Sequence, residues 1–554
     1  MTALDWIVLL GTLGFIVAYG VYKSRGVHDI SEYMRGGNTM RWPTIGLSIM
    51  ATQASAITFL SVPGQAYEDG MRFVQFYFGL PLAMIVISVV FVPIYFKLNV
   101  FTAYEYLEHR FDARVRYLGA ILFLIQRGLA AGITIYAPSI ILSTILGWPL
   151  DLTIAIIGLF VIVYTVLGGQ RAVSQTQKQQ MIVMLGGMAV ATVAIVLMLP
   201  SAVTIPKALQ LAGAMGRMNV VSFDLSFENR YNFWSGITGG FFLALSYFGT
   251  DQSQVGRYLS GRSVTESRLG LLFNGIFKIP MQFGILFAGI MVFVFHLFIE
   301  PPVLFNAPAL AAAHQSASAG ELAAIEARHH AAFEARKAAA ERFVVSESDT
   351  EKVALAAANA ELQSARTDAK ALLVKAVPGA ETKDTDYIFI SFVLRYLPAG
   401  LIGLLVAVIL CASMSSTASE LSALGNTTMI DLYKRIGQRP DDAKKDLFAS
   451  KAFTAMWGLI ALGFASFASL LDNLIQAVNI MGSIFYGTVL GIFVVAFFIK
   501  HVTATPVLVG ALVAQATVLG LFFGSDLGFL WYNVVGCGIV VVVSLVLQRA
   551  TRAA

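Results

Sequence analysis

Stretches of roughly 20 apolar residues recur from one end of this sequence to the other, each long enough to cross a bilayer as a helix. Of 554 residues, 57% are hydrophobic and only 13% charged, at a mean hydropathy of +0.73. A water-soluble fold has too little polar surface to cover so much apolar side chain. The chain therefore reads as an all-α integral membrane protein whose first partner is the lipid bilayer. Its net charge of +5 does not point to nucleic acid, because the basic residues fall in short loops between the apolar stretches.

Thirteen spans are predicted, near 4–22, 43–66, 74–98, 115–147, 150–168, 179–201, 233–256, 269–299, 387–424, 450–470, 474–499, 504–524 and 528–548. Lys and Arg gather in alternate loops. Lys23, Arg25, Arg35 and Arg41 follow span 1, and Lys97, Arg110, Arg114 and Arg116 follow span 3. Arg171 and Lys178 follow span 5, and Arg257, Arg262 and Arg268 follow span 7. Lys434, Arg435, Arg439, Lys444 and Lys445 follow span 9, and Arg549 and Arg552 close the chain. Intervening loops such as Gly147-Trp148-Pro149-Leu150-Asp151 are poor in both. This bias predicts a multi-pass cell-membrane protein with its N-terminus outside and its C-terminus in the cytoplasm. The first apolar run lacks a basic leader and a small-residue cleavage site, so it reads as a retained helix. Cys411 and Cys537 both lie in apolar spans, and no disulfide framework or thiolate metal site is expected.

Residues 304–384 interrupt the apolar pattern and divide the membrane part into 1–303 and 385–554. Their Ala, Glu, Lys and Arg content favours helix. A helical hairpin is predicted, turning at Ser346 to Asp349 and lying outside the membrane. Its His314, His329 and His330 read as members of solvated helix faces, with metal or pH sensing as the alternative.

Two spans share an irregularity. Span 2 contains Ala51-Thr52-Gln53-Ala54-Ser55-Ala56-Ile57-Thr58, and span 7 contains Ser246-Tyr247-Phe248-Gly249-Thr250-Asp251-Gln252-Ser253-Gln254. Polar interruptions at corresponding places in two halves point to an inverted-repeat transporter. An offset of five spans makes the two copies run in opposite directions. Span 9 carries Ala412-Ser413-Met414-Ser415-Ser416-Thr417-Ala418-Ser419-Glu420. Hydroxyls in an apolar helix can bond back to its carbonyls, but a carboxylate cannot. Ala51, Ala54 and Ser55 with Ala412, Ser415 and Ser416 could wall a sodium site. The same small residues also suit close helix packing.

The chain resembles the sodium:solute symporters, the family of the sugar, proline, sialic acid, monocarboxylate, multivitamin and iodide carriers. The resemblance rests on Ser55-Ala56-Ile57-Thr58-Phe59-Leu60 with Pro63-Gly64, on Ala103-Tyr104-Glu105-Tyr106-Leu107-Glu108-His109-Arg110-Phe111, and on Tyr136-Ala137-Pro138-Ser139. Tyr164-Thr165-Val166-Leu167-Gly168-Gly169, Gln254-Val255-Gly256-Arg257-Tyr258-Leu259, the span 9 run and Asn479-Ile480-Met481-Gly482-Ser483 add to it. The loop before span 4 looks most like the monocarboxylate, multivitamin and iodide branch. The resemblance covers nearly everything outside 304–384. It implies a LeuT-type fold with spans 2–6 and 7–11 as inverted repeats. It also implies a sodium site made by the carbonyls of Ala51, Ala54 and Ala412 and the hydroxyls of Ser415 and Ser416. Some members hold a second sodium with a span 6 aspartate and hydroxyls one turn further along span 9. Here those positions are Gln177, Ala418 and Ser419, so one sodium per cycle is expected. Glu420 is expected to pair with Lys178, or to replace the lost aspartate as a ligand.

The solute is expected between the interrupted spans, near Gln53, Thr58, Asp251, Gln252, Lys278, Gln476 and Asn479. Asp251 is the leading residue of that set, paired with Lys278, holding a cationic group or coordinating a cation. Phe76, Tyr77 and Tyr247 are possible gates. The expected function is sodium-coupled import of a small polar organic solute, such as a monocarboxylate or another small organic anion, by alternating access. Proton coupling through Asp251 or Glu420 is the nearest alternative. A solute sensor is another, although only Gln548 to Ala554 follow the last span. The spans hold no Ser-His-Asp arrangement, metal-ligand spacing or phosphate loop, which argues against an enzyme.

Overall fold

A computed structural model describes residues 1–24, 33–34, 36–377, 384–437, 442–467 and 474–553. Arg25, Arg35 and Arg439 of the basic loops lie outside the described residues, as do the last turn predicted for span 10 and residues 378–383 of the insert. Among the described residues eleven helices are long and apolar enough to cross a bilayer. The count differs from thirteen because spans 2 and 7 are both broken. The second half of span 2 runs on into span 3 as Ala56–Leu98, and span 7 is divided into Gly240–Gly249 and Gln252–Leu259.

Spans 5 and 6 share one hydrogen-bonded helix, Leu150–Leu197. Yet the Tyr164 hydroxyl lies 2.6 Å from Thr176 Oγ1, twelve residues on. A straight helix would hold those residues about 18 Å apart along its axis, so the chain doubles back between them. Span 9 begins later than predicted. Residues 387–396 belong to a separate helix, Thr385–Tyr396, and the spanning helix is Leu401–Thr427. Pro398 and Gly400 explain the break: proline disfavours helix in the residue before it, and Gly400 sits at φ +89°, where only glycine is at ease.

An extensive apolar cluster runs through the helices and takes in residues of both broken spans. Trp42–Gln53 of span 2 packs against Gln252–Leu259 of span 7, and Leu401–Thr427 packs against both.

The insert forms two packed helices, Ala319–Ser346 and Asp349–Ala376. Between them Glu347 takes a left-handed conformation at φ 50°, and Ser348 caps the second helix by accepting from the Glu351 amide. Buried Phe333 and Leu362 pack between the helices. The hairpin is tied to the membrane part at His296 and Glu300 and is closed at its own base by Asp384. Arg336 donates to the His296 carbonyl at 2.6 Å, while Arg366 and Lys370 pair with Asp384 at 2.9 and 2.6 Å. Glu300 receives His330 at 2.9 Å and His329 at 3.5 Å. Burial holds His329 down to about 4, whereas the Glu300 hydrogen bond raises exposed His330. His314 reaches Glu326 at 3.1 Å.

Candidate cation and solute sites

The helix Trp42–Gln53 stops because Ala54 (φ −87°, ψ 75°) and Ser55 (φ −72°, ψ 173°) leave helical geometry before Ala56 restarts it. A helix end releases carbonyls from their usual partners. Span 9 lies against this break. Ser415 Oγ donates to the Ala51 carbonyl at 3.0 Å. Ser416 Oγ donates to the carbonyls of Ala412 at 3.0 Å and Ser413 at 3.3 Å. Four of the five oxygens expected for sodium are thus joined in two pairs, one across spans 2 and 9 and one within span 9, and Ala54 is buried at the break itself. All five are uncharged, hard oxygens, the chemistry by which broken membrane helices hold monovalent cations.

One turn away, Gln177 occupies the centre of a second cluster. Its amide nitrogen donates to Ser419 Oγ at 2.7 Å, Ser415 O at 3.0 Å and Thr52 Oγ1 at 3.1 Å. Its amide oxygen accepts from Ser48. Thr52 and Ser419 are themselves 3.1 Å apart. A neutral donor therefore sits among the oxygens that would otherwise surround a cation.

Glu420 does not pair with Lys178. Its carboxylate receives Arg127 Nη1 at 3.0 Å and Thr134 Oγ1 at 2.8 Å. The same guanidinium pairs through Nη2 with Asp251 and donates to the Tyr486 hydroxyl at 2.5 Å. Tyr486 in turn donates to Asp251 at 3.1 Å, and the other Asp251 oxygen accepts from Ser253 N at 2.9 Å and Ser253 Oγ at 2.6 Å. Arg127 is 3% exposed. A buried charge needs a partner, and Arg127 supplies one to both carboxylates. It is the residue that sequence reasoning missed, although an arginine beside Gln126 in the middle of span 4 was a visible signal. Asp251 does not meet Lys278, whose amine has no hydrogen-bond partner among the described residues and lies 5.4 Å from the centre of the Tyr77 ring.

A cavity of about 80 Å³ opens between the broken spans. Gln53, Thr58 and Asn479 of the expected set line it, together with Phe76, Tyr77 and Tyr247. Arg127, Glu420 and Tyr486 form its charged side. The other expected residues lie elsewhere. Asp251 lines a small void behind Arg127 and Tyr486. Gln252 accepts from Ala103 N at 3.1 Å and donates to Phe101 O at 2.9 Å, fastening the loop before span 4. Gln476 accepts from Arg230 and donates to Gln65 Oε1 at 3.5 Å. Lys278 is buried off the cavity wall.

The model of the sodium:solute symporter family matches residues 33–327 and 363–514. The chain belongs to the sodium:solute symporter family. The interruption at 328–362 is narrower than 304–384 and removes only the distal part of the hairpin. This symporter is 26% identical to the human sodium-coupled monocarboxylate transporter 1 over 94% of its own length and 74% of that protein's. It is 24% identical to a sodium/sialic acid symporter of Aliivibrio fischeri over 98% of its length and 92% of the relative's. With the human sodium/iodide cotransporter it shares 32% identity over 54% of its length and 46% of the other. A solved Na+-coupled sialic acid symporter, substrate-bound and outward-open, superposes with a TM-score of 0.77 at 22% identity, covering 99% of this chain and 98% of the other. The fold is thus the LeuT-type transporter architecture. The symporter is a sodium-coupled transporter of the membrane and not an enzyme.

Proposed function

We propose that this symporter imports a small polar organic solute together with one sodium ion, bound by the carbonyls of Ala51, Ala54 and Ala412 and the hydroxyls of Ser415 and Ser416. The observation that carries this reading is the Ser415 hydroxyl on the Ala51 carbonyl at the break of span 2. It brings the polar stripe of one helix onto the released carbonyls of another. The Gln177 amide, filling the neighbouring oxygen cluster, supports a single ion. The solute occupies the cavity at Gln53, Thr58 and Asn479, with Phe76, Tyr77 and Tyr247 as its aromatic walls. Its polar groups meet these amides and hydroxyls. The N-terminus faces outward and the C-terminus the cytoplasm, following the Lys and Arg bias of the loops. The hairpin then lies outside the cell.

Proton coupling through Asp251 or Glu420 is the weaker reading, since Arg127 holds both carboxylates. Sodium coupling also has the driving force. One charge moving down a membrane potential releases about 2.3 kcal/mol per 100 mV, and a tenfold gradient adds about 1.4 kcal/mol. The test is thermal stabilisation of the purified protein as sodium is titrated in. Wild type gains stability in sodium and not in potassium, and Ser416→Ala loses most of that gain. An unchanged sodium affinity in Ser416→Ala would remove the site.

A further inference from the structure

The cavity carries a charge imbalance that narrows the class of solute. Arg127 and Glu420 line it, and Arg127 also pairs with Asp251, which lies behind the cavity wall. One guanidinium against two carboxylates leaves one surplus negative charge. The two carboxylates are not equivalent. Asp251 has both oxygens filled by Arg127, Tyr486 and the Ser253 amide and hydroxyl. Among the described residues Glu420 accepts from Arg127 and Thr134 alone, although a carboxylate offers about four acceptor positions. The charged groups acting on Glu420 are Arg127 and Asp251. Among the described residues no carboxylate acts on Arg257 or Lys278, the other buried cations of this region. Arg257 is instead held by Ser253 O and Ser174 Oγ, each at 3.2 Å. The surplus is therefore local to Glu420.

Glu420 lies four residues after Ser416 on one helix, which places the two side chains on the same face, about 5–6 Å apart at Cβ. The proposed sodium site consists of neutral oxygens, so it brings an ion into the membrane core without a countercharge of its own. Burying a charge is costly unless an opposite charge is near. Resting on the sodium site proposed above, we infer that Glu420 is the countercharge for the sodium ion and that the co-transported solute is electrically neutral overall, either uncharged or zwitterionic. With sodium bound, the cluster sums to zero. An anionic solute in the cavity would add a second negative charge beside Glu420, whose cationic partner Arg127 is already shared with Asp251. Each cycle then moves one positive charge inward.

The test uses full-length protein in two measurements. First, sodium titrations without solute compare wild type with Glu420→Gln. The variant keeps the oxygens at 51, 54, 412, 415 and 416 but binds sodium at least tenfold more weakly. An equal affinity would overturn the role of Glu420, whereas absence of a sodium response in wild type would refute the sodium site instead. Second, wild-type proteoliposomes are given isosteric pairs of small solutes, a carboxylate and its carboxamide, and zwitterionic amino acids. Sodium-dependent inward positive currents with neutral or zwitterionic solutes support the assignment. Electroneutral uptake of the carboxylate alone, or the absence of current with every neutral and zwitterionic solute, would overturn it. In Glu420→Gln the preference moves toward the carboxylate, a change that loss of packing alone does not produce. The wild-type currents decide the matter even if that variant does not fold.

Discussion

Replacing Gln177 by aspartate tests the reading that a neutral amide fills a cation position. In the wild type the Gln177 nitrogen donates to Ser419, Ser415 and Thr52 at 2.7–3.1 Å. Gln177→Asp removes all three donated bonds and puts a carboxylate among three acceptor oxygens. At about 1 kcal/mol for each lost bond, the sodium-free protein loses about 3 kcal/mol. A cation that enters the position restores much of this, since a ligand at a hundred times its Kd stabilises by about 2.7 kcal/mol. The assay is the thermal midpoint against sodium concentration, followed by sodium-dependent uptake. Gln177→Asp starts with a lower midpoint than wild type and gains more from sodium. The sodium dependence of uptake steepens, from a Hill coefficient near one toward two. A variant with the wild-type midpoint in sodium-free buffer, and an unchanged Hill coefficient, would refute the view that this amide stands in for an ion.

Arg127→Lys keeps the charge but cannot span Asp251, Glu420 and Tyr486 as the planar guanidinium does. It is expected to lower the thermal midpoint in detergent and abolish uptake, and wild-type uptake would disprove the bridging role. At the base of the hairpin, burial pushes the Asp384 carboxyl up, but Arg366, Lys370 and the Phe305 amide outweigh this and hold it below the usual range. Its contribution to stability is therefore full above the unfolded carboxyl value, about 3.9, and is lost as pH falls through the lower folded value. Asp384→Asn should lower the midpoint at pH 7 and flatten that acid limb, as read by thermal scans from pH 7 to pH 3. An equally steep acid limb in the variant would assign it to other groups.

Much of this was legible in the sequence because each signal was local. The breaks at Ala54 and Thr250-Asp251 showed as polar residues within apolar runs, and the helices stop there. The turn at Glu347 showed as polar residues between two helix-forming stretches. The partners of Glu420 were not legible. Lys178 was the expected partner because it neighbours Gln177 in the chain, but Arg127 is 293 residues from Glu420, and no pattern along the chain reports a contact of that kind. For Gln252 and Gln476 the residue type alone suggests the cavity. In the fold their amides satisfy backbone groups and a neighbouring arginine, a use that buried amides commonly find.

The two polar systems meet on a single helix, and this gives the proposed coupling a physical route. Ser415 ties span 9 to the broken end of span 2. Glu420, little more than one turn further, ties span 9 through Arg127 to the break of span 7. A movement that parts span 9 from span 2 must give up the Ser415 bond, and a sodium ion among the same oxygens opposes it. A movement that parts span 9 from span 7 must separate Arg127 from one of its two carboxylates and leave that charge buried and alone, which is costly in a membrane core. The ion and the ionic cluster therefore restrain the same helix, one against span 2 and the other against span 7. On the proposed reading, loading or emptying the sodium site changes the balance of charge at Glu420, and so changes how firmly span 9 is held to span 7, where the cavity lies.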